Sequence, residues 1–414
     1  MAMLQQRLDY LDAVRCFALI LGVVFHASLS FIPVFIGWAV MDINTSESVS
    51  AFVLVSHSFR MALFFLIAGF FSRMSLKRNT SAVFFKVRFV RIALPFVVGW
   101  FLLRPLLVGG WIMGGQSMQG DVEILLALKQ GFANLALSSE STIPSDLFVG
   151  THLWFLYYLM LITLLVTGLR YIACLKAEVL RHVSRWADTF VLWLCFTPLS
   201  KIVLIFLTAL CLWFMPSWGL YTPDKSLIPH IPTLMTYSLF FILGWLLNRK
   251  SISIDAFFRI RWYDVIIGLT AIIVAIVLAD YEMQWGHPNR VWLKAGFILS
   301  YAIMMWFLVS FSIGMCKKLF SSHKRSDKDF KKQSSKFPSK LMNYISGASY
   351  WVYLVHLPVV VYLQITVAEL PFHWALKWAC VCIVTLMFCL LSYELFVRKT
   401  FIGQILNGKK RKQE

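Results

Sequence analysis

LDYLDAVRCFALILGVVFHASLSFIPV, residues 8–34, is the stretch from which the fold of this chain follows. From Leu11 onward it is almost wholly apolar. At about 1.5 Å per residue, it is long enough to cross a bilayer core of about 30 Å. Arg15 and His26 interrupt the run about three helical turns apart, so both project from one helix face with Gly22 between them. This spacing predicts a ligand that lies along the face.

Each of these two ionisable residues also has a simpler interpretation. The Arg15 side chain can snorkel to the lipid headgroups, and His26 can hydrogen-bond a neighbouring helix. An ionisable residue inside a membrane span is costly to insert, however, and it usually marks a functional site. We therefore interpret His26 as a functional residue.

Composition gives the class of protein. The chain has 414 residues, of which 59% are hydrophobic and 14% charged. Repeated long apolar runs exclude a soluble globular domain and predict an all-α polytopic membrane protein with about ten transmembrane helices. The net charge of +19 does not indicate a nucleic-acid partner, because the basic residues alternate with the apolar runs. It indicates contact with the lipid bilayer instead.

Loop charge predicts the orientation. The ten spans are expected at about 11–34, 52–71, 92–110, 152–169, 190–213, 231–248, 263–279, 291–315, 345–367 and 377–397. One set of connecting segments, counted together with Arg15 near the start of the first span, holds 31 Lys and Arg residues and the opposite set holds 3, which places both termini in the cytoplasm. Residues 1–400 then form a membrane domain with a charged cytoplasmic linker at 317–342, and 401–414 form a basic tail. The external segment 111–149 is expected to be an irregular lid or an acceptor-facing loop.

The second span contains Arg60 at about the depth of His26, so we expect the two side chains to face each other. A buried guanidinium needs an anionic partner, and the first two spans offer no acid at this depth. A negative ligand or a developing oxyanion would supply that partner. The alternative is a carboxylate from elsewhere in the chain, such as Glu394.

Basic residues also precede the third span, at Lys86, Arg88 and Arg91. They are either ordinary signals of topology or a phosphate clamp beside Arg15.

Two later stretches carry further candidate residues. His152 and Trp154 open the fourth span, where we expect them at the outer membrane interface. His356 falls near the middle of the ninth span and is followed by Pro358, which can kink a helix or free a carbonyl.

Several motifs recur in order along almost the whole chain: LDAVRCFALILGVVFH (11–26), HSFRMALFFLIAGFFS (57–72), KVRFVRIALP (86–95), HLWFL (152–156), FFILG (240–244), ASYWVYLVHLP (348–358) and YELFVR (393–398). In these motifs the chain resembles the acyltransferase 3 family of ten-span membrane acyltransferases. The resemblance implies transfer of a succinyl or acetyl group from cytoplasmic acyl-CoA to a hydroxyl of a periplasmic or cell-surface glucan. It also implies a location in the bacterial inner membrane.

The expected roles follow from the motifs and the resemblance together. His26 is the expected general base, and Arg60 stabilises the oxyanion or an acyl carboxylate. The remaining candidates fall into two groups: Arg15, Lys86, Arg88 and Arg91 for the CoA phosphates, and His152, Trp154 and His356 for the acceptor. We expect no metal and no permanently bound cofactor.

Other functions remain open at this point. His26 could act as a nucleophile through an acyl-histidine intermediate. A transporter could use His26, Arg60 and His356 as a proton or anion relay, although the sequence has no repeat that pairs its two halves. A non-catalytic scaffold would leave His26 dispensable.

Overall fold

A computed structural model describes residues 2–118, 120, 122–133, 151–197, 199–224, 226–249, 256–321 and 336–407. Throughout these ranges the regular elements are helices, and none is a strand. The helices that position the site are α1 (Ala2–Ser28), α2 (Glu47–Arg78), α3 (Ser81–Ser117), α4 (Ile124–Ala133), α5 (Trp154–Cys174), α6 (Ala177–Phe196), α7 (Leu199–Trp213), α8 (Ile231–Leu247), α9 (Trp262–Ala279), α10 (Arg290–Ser321), α11 (Lys336–Val367) and α12 (Trp374–Ser392).

Eight helices in the described ranges are long and apolar enough to cross a membrane. They coincide with eight of the ten expected spans, so the chain is an all-α polytopic membrane protein, as predicted. The expected sixth span corresponds to α8, which is apolar but only 17 residues long.

The expected fifth span, 190–213, is wrong as a single helix. It falls on α6 and α7, whose axes are bent by 100° at the break between them. The sequence explains the break, since Thr197 precedes Pro198 and takes an extended backbone conformation (φ −107°, ψ 121°). A residue before proline avoids the helical conformation, so a helix usually ends there.

The predictions about the loops are only partly covered. Residues 322–335 and 408–414, from the expected linker and tail, and 134–149, from the external segment, lie outside the described residues. The described part of that segment is more regular than expected, because α3 continues to Ser117 and α4 follows it. The division into domains and the cytoplasmic location of the termini stay predictions.

Helix α1 lies inside the bundle and contacts α2, α10, α11 and α12. The face that carries Arg15 and His26 is therefore enclosed by other helices. Helix α2 is held against α8 by two glycines, Gly69 and Gly244. A Cβ atom at Gly69 would overlap the carbonyl of Phe241, and one at Gly244 would overlap the carbonyl of Leu66. Small residues of this kind let membrane helices pack with their backbones in contact.

Candidate active site

A cavity of about 520 Å³ runs along α1. Arg15, Gly22 and His26 all line it, as their helical spacing predicts, and Arg60 of α2 lines it too. A Cβ atom at Gly22 would lie 3.8 Å from Cδ of Arg60, so the two helices face each other at this level. The expectation that Arg60 and His26 border one space is met.

A second cavity of about 790 Å³ adjoins the first. The residues that line both cavities are Phe25, His26, His57, His152, Trp154 and Thr222. The two spaces therefore meet at His26, and each approaches it from a different part of the bundle.

The two cavities differ in charge. The charged residues that line the first are Arg15, Arg60, Arg78, Arg88 and Arg91. We call it the arginine cavity, since no Asp or Glu is among its described lining residues. The charged residues that line the second are Glu47, Asp224 and Asp280, and it is the acidic cavity below. The first suits an anionic ligand, and the second disfavours one.

The His26 ring is held by other rings at the junction. Its centroid lies 5.3 Å from that of His356 and 5.8 Å from that of Trp38, against which it stacks at 19°. Phe25 packs edge-on at 5.1 Å. Nδ1 of His26 is buried and has no hydrogen-bond partner in the described part of the chain. Because a buried polar atom rarely stays unsatisfied, this nitrogen is available to a ligand.

Arg60 is a second buried polar group with an unsatisfied atom in the described part of the chain. It is 5% exposed, its guanidinium carbon lies 3.9 Å from the centroid of Phe25, and its buried Nη1 donates to no described residue. The carboxylate considered as an alternative, Glu394, accepts hydrogen bonds of 2.8 and 2.9 Å from Arg398. Glu394 is thus engaged by Arg398, and no carboxylate among the described residues lines the arginine cavity with Arg60. An anionic ligand group or an oxyanion can act as the partner that a buried guanidinium needs.

His152 and Trp154 are both buried within the helix bundle, and their expected position at the outer membrane interface stays a prediction. They are 7% and 6% exposed and line both cavities. Nε2 of His152 donates to the carbonyl of Leu354 at 3.0 Å. Pro358, four residues further along α11, has no N–H to offer this carbonyl, so the freed acceptor fixes His152. Pro358 thus frees a carbonyl, as the sequence predicts, and this carbonyl of Leu354 accepts the hydrogen bond from His152.

His356 is fixed through its other ring nitrogen. Nδ1 lies 2.8 Å from the carbonyl of Tyr353 and 3.0 Å from that of Val352. A carbonyl only accepts hydrogen bonds, so Nδ1 carries the proton and Nε2 keeps its lone pair. Nε2 is therefore the nitrogen of His356 that can accept a hydrogen bond from a ligand.

The expected phosphate clamp is only partly assembled. Arg88 and Arg91 line the arginine cavity together with Arg15, which also pairs with Asp12 at 3.3 Å. Lys86 is exposed and lines neither cavity. A π-helical segment at Phe89–Ala93 lies between Arg88 and the rest of α3. Such segments change the direction in which the following side chains project from the helix, and they are frequent at functional sites.

Three site residues were missed by the sequence analysis. His57 lines both cavities, and its spacing of three residues from Arg60 on α2 could have indicated it. Trp38 and Gln364 gave no local signal, because they reach the site through tertiary contacts.

The fold and the site together define a polytopic membrane protein whose helices enclose two adjoining cavities of opposite charge, with His26 at their junction. The particular family follows from comparison with known proteins. A family model described as an acyltransferase domain matches residues 8–394, and the chain belongs to this acyltransferase 3 family. It is accordingly a multi-pass membrane acyltransferase.

Curated relatives share the name glucans biosynthesis protein C. The proteins of Salmonella paratyphi B (strain ATCC BAA-1250 / SPB7) and Salmonella dublin are each 23% identical over 408 residues, which is 97% of this chain and 94% of theirs. The protein of Escherichia coli (strain K12 / DH10B) is 32% identical over 161 residues, or 39% of this chain and 38% of its own length. No solved structure matches the chain significantly.

Proposed function

We propose that this acyltransferase moves a succinyl or acetyl group from acyl-CoA to a hydroxyl of a glucan or related polysaccharide. The observation that carries the proposal is the meeting of two oppositely charged cavities at His26. The donor enters through the arginine cavity and the acceptor through the acidic cavity. Both substrates thereby reach one histidine by separate routes.

The donor side suits coenzyme A. Guanidinium groups bind phosphate through paired, charge-assisted hydrogen bonds, and Arg15, Arg88 and Arg91 all line the arginine cavity. The elongated pantetheine arm would pass Leu19 and Gly22 before the thioester reaches His26. Positive loop charge supports a cytoplasmic location for this entrance, where acyl-CoA is made.

The acceptor side suits an uncharged carbohydrate. Trp38 and Trp111 contribute aromatic surface to the acidic cavity, with ring centroids 5.1 Å apart. The carboxylates of Glu47, Asp224 and Asp280 can accept hydrogen bonds from sugar hydroxyls, and they repel anionic polymers. The name of the relatives supports a glucan, and we place the protein in the inner membrane of a bacterium as part of the same proposal.

The chemistry needs a base and an anion stabiliser. Neutral His26 takes the proton of the acceptor hydroxyl while the hydroxyl oxygen attacks the thioester carbonyl carbon. Arg60 stabilises the negative charge on the tetrahedral oxygen, or holds a carboxylate if the acyl group is succinyl. Collapse of the intermediate breaks the carbon–sulfur bond, and the imidazolium returns its proton to the departing thiolate. His356 lines the arginine cavity beside His26, and its Nε2 accepts a hydrogen bond from a second hydroxyl of an acceptor that has reached the junction.

The transporter alternative fits less well. A relay through His356 needs proton entry at one ring nitrogen and exit at the other. Its Nδ1 is bound to the carbonyls of Val352 and Tyr353, which cannot carry a proton onward. His152 is bound to a carbonyl in the same way.

Purified protein incubated with succinyl-CoA or acetyl-CoA and a neutral glucan tests the proposal. We expect release of CoA thiol together with an O-acylated glucan, and loss of both in His26→Ala at unchanged acyl-CoA binding. An acyl adduct on His26, seen by mass spectrometry without acceptor, would replace direct transfer by the acyl-histidine route. Thiol release without acylated glucan for any neutral acceptor would contradict the proposed acceptor class.

A further inference from the structure

The ring of His26 has an unusual support for a catalytic base. A base is normally oriented by a hydrogen bond from its second ring nitrogen to a third group. Neither ring nitrogen of His26 has such a partner among the described residues, and Nδ1 is buried without one. The ring is held by stacking on Trp38 at 19°, so its orientation depends on what fixes Trp38.

Gln364 of α11 holds both the Trp38 ring and the backbone of His26. Its Oε1 accepts a hydrogen bond of 2.8 Å from Nε1 of Trp38. Its Nε2 donates to the carbonyls of His26 and Ala27, each at 3.0 Å. These carbonyls lie in the last turn of α1, where a helix has no internal donors left for its final carbonyl groups. One side chain thus joins the backbone of the base to the ring stacked upon it.

Chemistry permits only one orientation of this amide. The indole N–H only donates and the two carbonyls only accept, so Oε1 must face Trp38 and Nε2 must face α1. Gln364 is fully buried and lines neither cavity. It therefore touches no substrate and acts only through its protein partners.

The segment that carries Trp38 is also anchored at its far end. The N–H groups of Asp42 and Ser46 donate to the carbonyls of Ser30 and Phe31 at 2.8 and 3.0 Å. Lys377 forms a buried ion pair with Asp42. With this anchoring, Gln364 needs only to hold the indole at the correct angle.

From these contacts we propose that Gln364 is a positioning residue that sets the angle of the His26 ring through Trp38. This inference rests on the proposed function of His26 as the base. It assigns a role to a residue eight positions beyond His356 on α11 that no motif of the sequence indicated.

Gln364→Met tests the inference because it keeps the length of the side chain and removes all three hydrogen bonds. We expect kcat per folded molecule to fall at least about tenfold, since small misplacements of reacting groups are costly. KM for acyl-CoA should stay within about twofold, because both substrate cavities are left intact. Gln364→Glu keeps the acceptor for Trp38 but turns an oxygen toward two carbonyls. We expect kcat of this variant to fall by a similar factor. Thr366→Val on the same helix, at an exposed position, is the matched control.

Trp38→Phe separates positioning from general stability. If Gln364 acts through the indole, the double variant Gln364→Met/Trp38→Phe should be no slower than the slower single variant. If the fold-decrease in kcat of the double variant equals the product of those of the two single variants, Gln364 does not act through Trp38.

A readout independent of turnover completes the test. Diethyl pyrocarbonate modifies histidine rings, and mass spectrometry reports its rate at His26 without any substrate. We expect faster modification of His26 in Gln364→Met than in the wild type. Equal modification rates, or wild-type kcat in Gln364→Met, would overturn the positioning role. If wild-type protein transfers no acyl group while the modification rates still differ, the proposed function fails and the positioning role stands.

Discussion

Nε2 of His152 donates a 3.0 Å hydrogen bond to the backbone carbonyl of Leu354. In an unbroken helix this carbonyl would accept from residue 358, which here is proline. A second pair repeats the arrangement. The carbonyl of Arg91, four residues before Pro95, accepts a 2.6 Å hydrogen bond from the Tyr350 hydroxyl. Prolines in two helices thus supply backbone acceptors that fix polar side chains around the site.

The first prediction concerns Pro358→Ala. The new N–H restores the helical hydrogen bond to Leu354, so His152 loses its acceptor and becomes free to turn. We expect transfer per folded molecule to fall about tenfold while the melting temperature in detergent stays the same or rises. Pro105→Ala, within α3 and away from both cavities, is the control. Wild-type transfer in Pro358→Ala would show that the His152 contact is dispensable.

The second prediction concerns donor binding. Arg88→Ala should weaken apparent acyl-CoA affinity about tenfold or more, because hydrogen bonds to charged groups are strong. Lys86→Ala, on the same helix but exposed and outside the cavity, should leave it unchanged. Because salt screens charges, rising ionic strength should reduce wild-type affinity more than that of Arg88→Ala. Equal acyl-CoA affinities of Arg88→Ala and Lys86→Ala would contradict a role of Arg88 in donor binding and would favour a role only in membrane topology.

How far the sequence predicts this site depends on the distance of each contact along the chain. Arg15, Gly22 and His26 share one helix, so the helical period alone brings them to one cavity. Arg60 was predictable because consecutive spans tend to be neighbours. The relative positions of these residues are set within one helix or between two consecutive helices, so they can be predicted from the sequence.

The residues that orient His26 could not be found in this way. Gln364 lies 338 positions from His26, and the segment of Trp38 is held by a Lys377–Asp42 pair that joins residues 335 apart. The hydrogen-bond partners of the Gln364 side chain, namely Trp38, His26 and Ala27, are all more than 300 positions away in the sequence. The broken fifth span was missed for a different reason, since a continuous apolar run gave no sign of the bend between α6 and α7.

The third prediction concerns Arg60→Lys. Lysine keeps the positive charge but loses the planar group with several donors, so it cannot align with an oxyanion or carboxylate in the same way. We expect kcat to fall about 10²-fold, as for loss of an oxyanion donor, with little change in acyl-CoA affinity. Arg104→Lys is the matched control, as Arg104 is also buried and stacked on an aromatic ring, Trp100, but lines neither cavity. A loss as large in Arg104→Lys would indicate a general effect on folding.

The fourth prediction concerns acceptor charge. Glu47→Gln/Asp280→Asn removes two carboxylates that line the acidic cavity. We expect KM for a carboxylated glucan to fall several-fold, because like-charge repulsion is relieved. KM for the neutral glucan should change little. Side-by-side kinetics with the two polymers measure the ratio, and an unchanged ratio would show that these carboxylates do not select the acceptor.

The last prediction concerns the buried pair of Lys377 and Asp42, which are 2% and 3% exposed. Burial raises the pKa of the Asp42 carboxyl above its ordinary value, and the hydrogen bond from Lys377 opposes that shift. Lys377→Met removes the opposing partner and leaves the carboxyl buried alone, which costs about 3–5 kcal/mol when the group stays ionised. A carboxyl whose pKa is raised on folding favours the folded state below its unfolded pKa, and that contribution is lost as pH rises. We therefore expect the melting temperature of Lys377→Met to fall further below that of the wild type at pH 8 than at pH 5. Lys377→Met/Asp42→Asn should lose this pH dependence, and equal deficits at both pH values in the single variant would contradict the assignment.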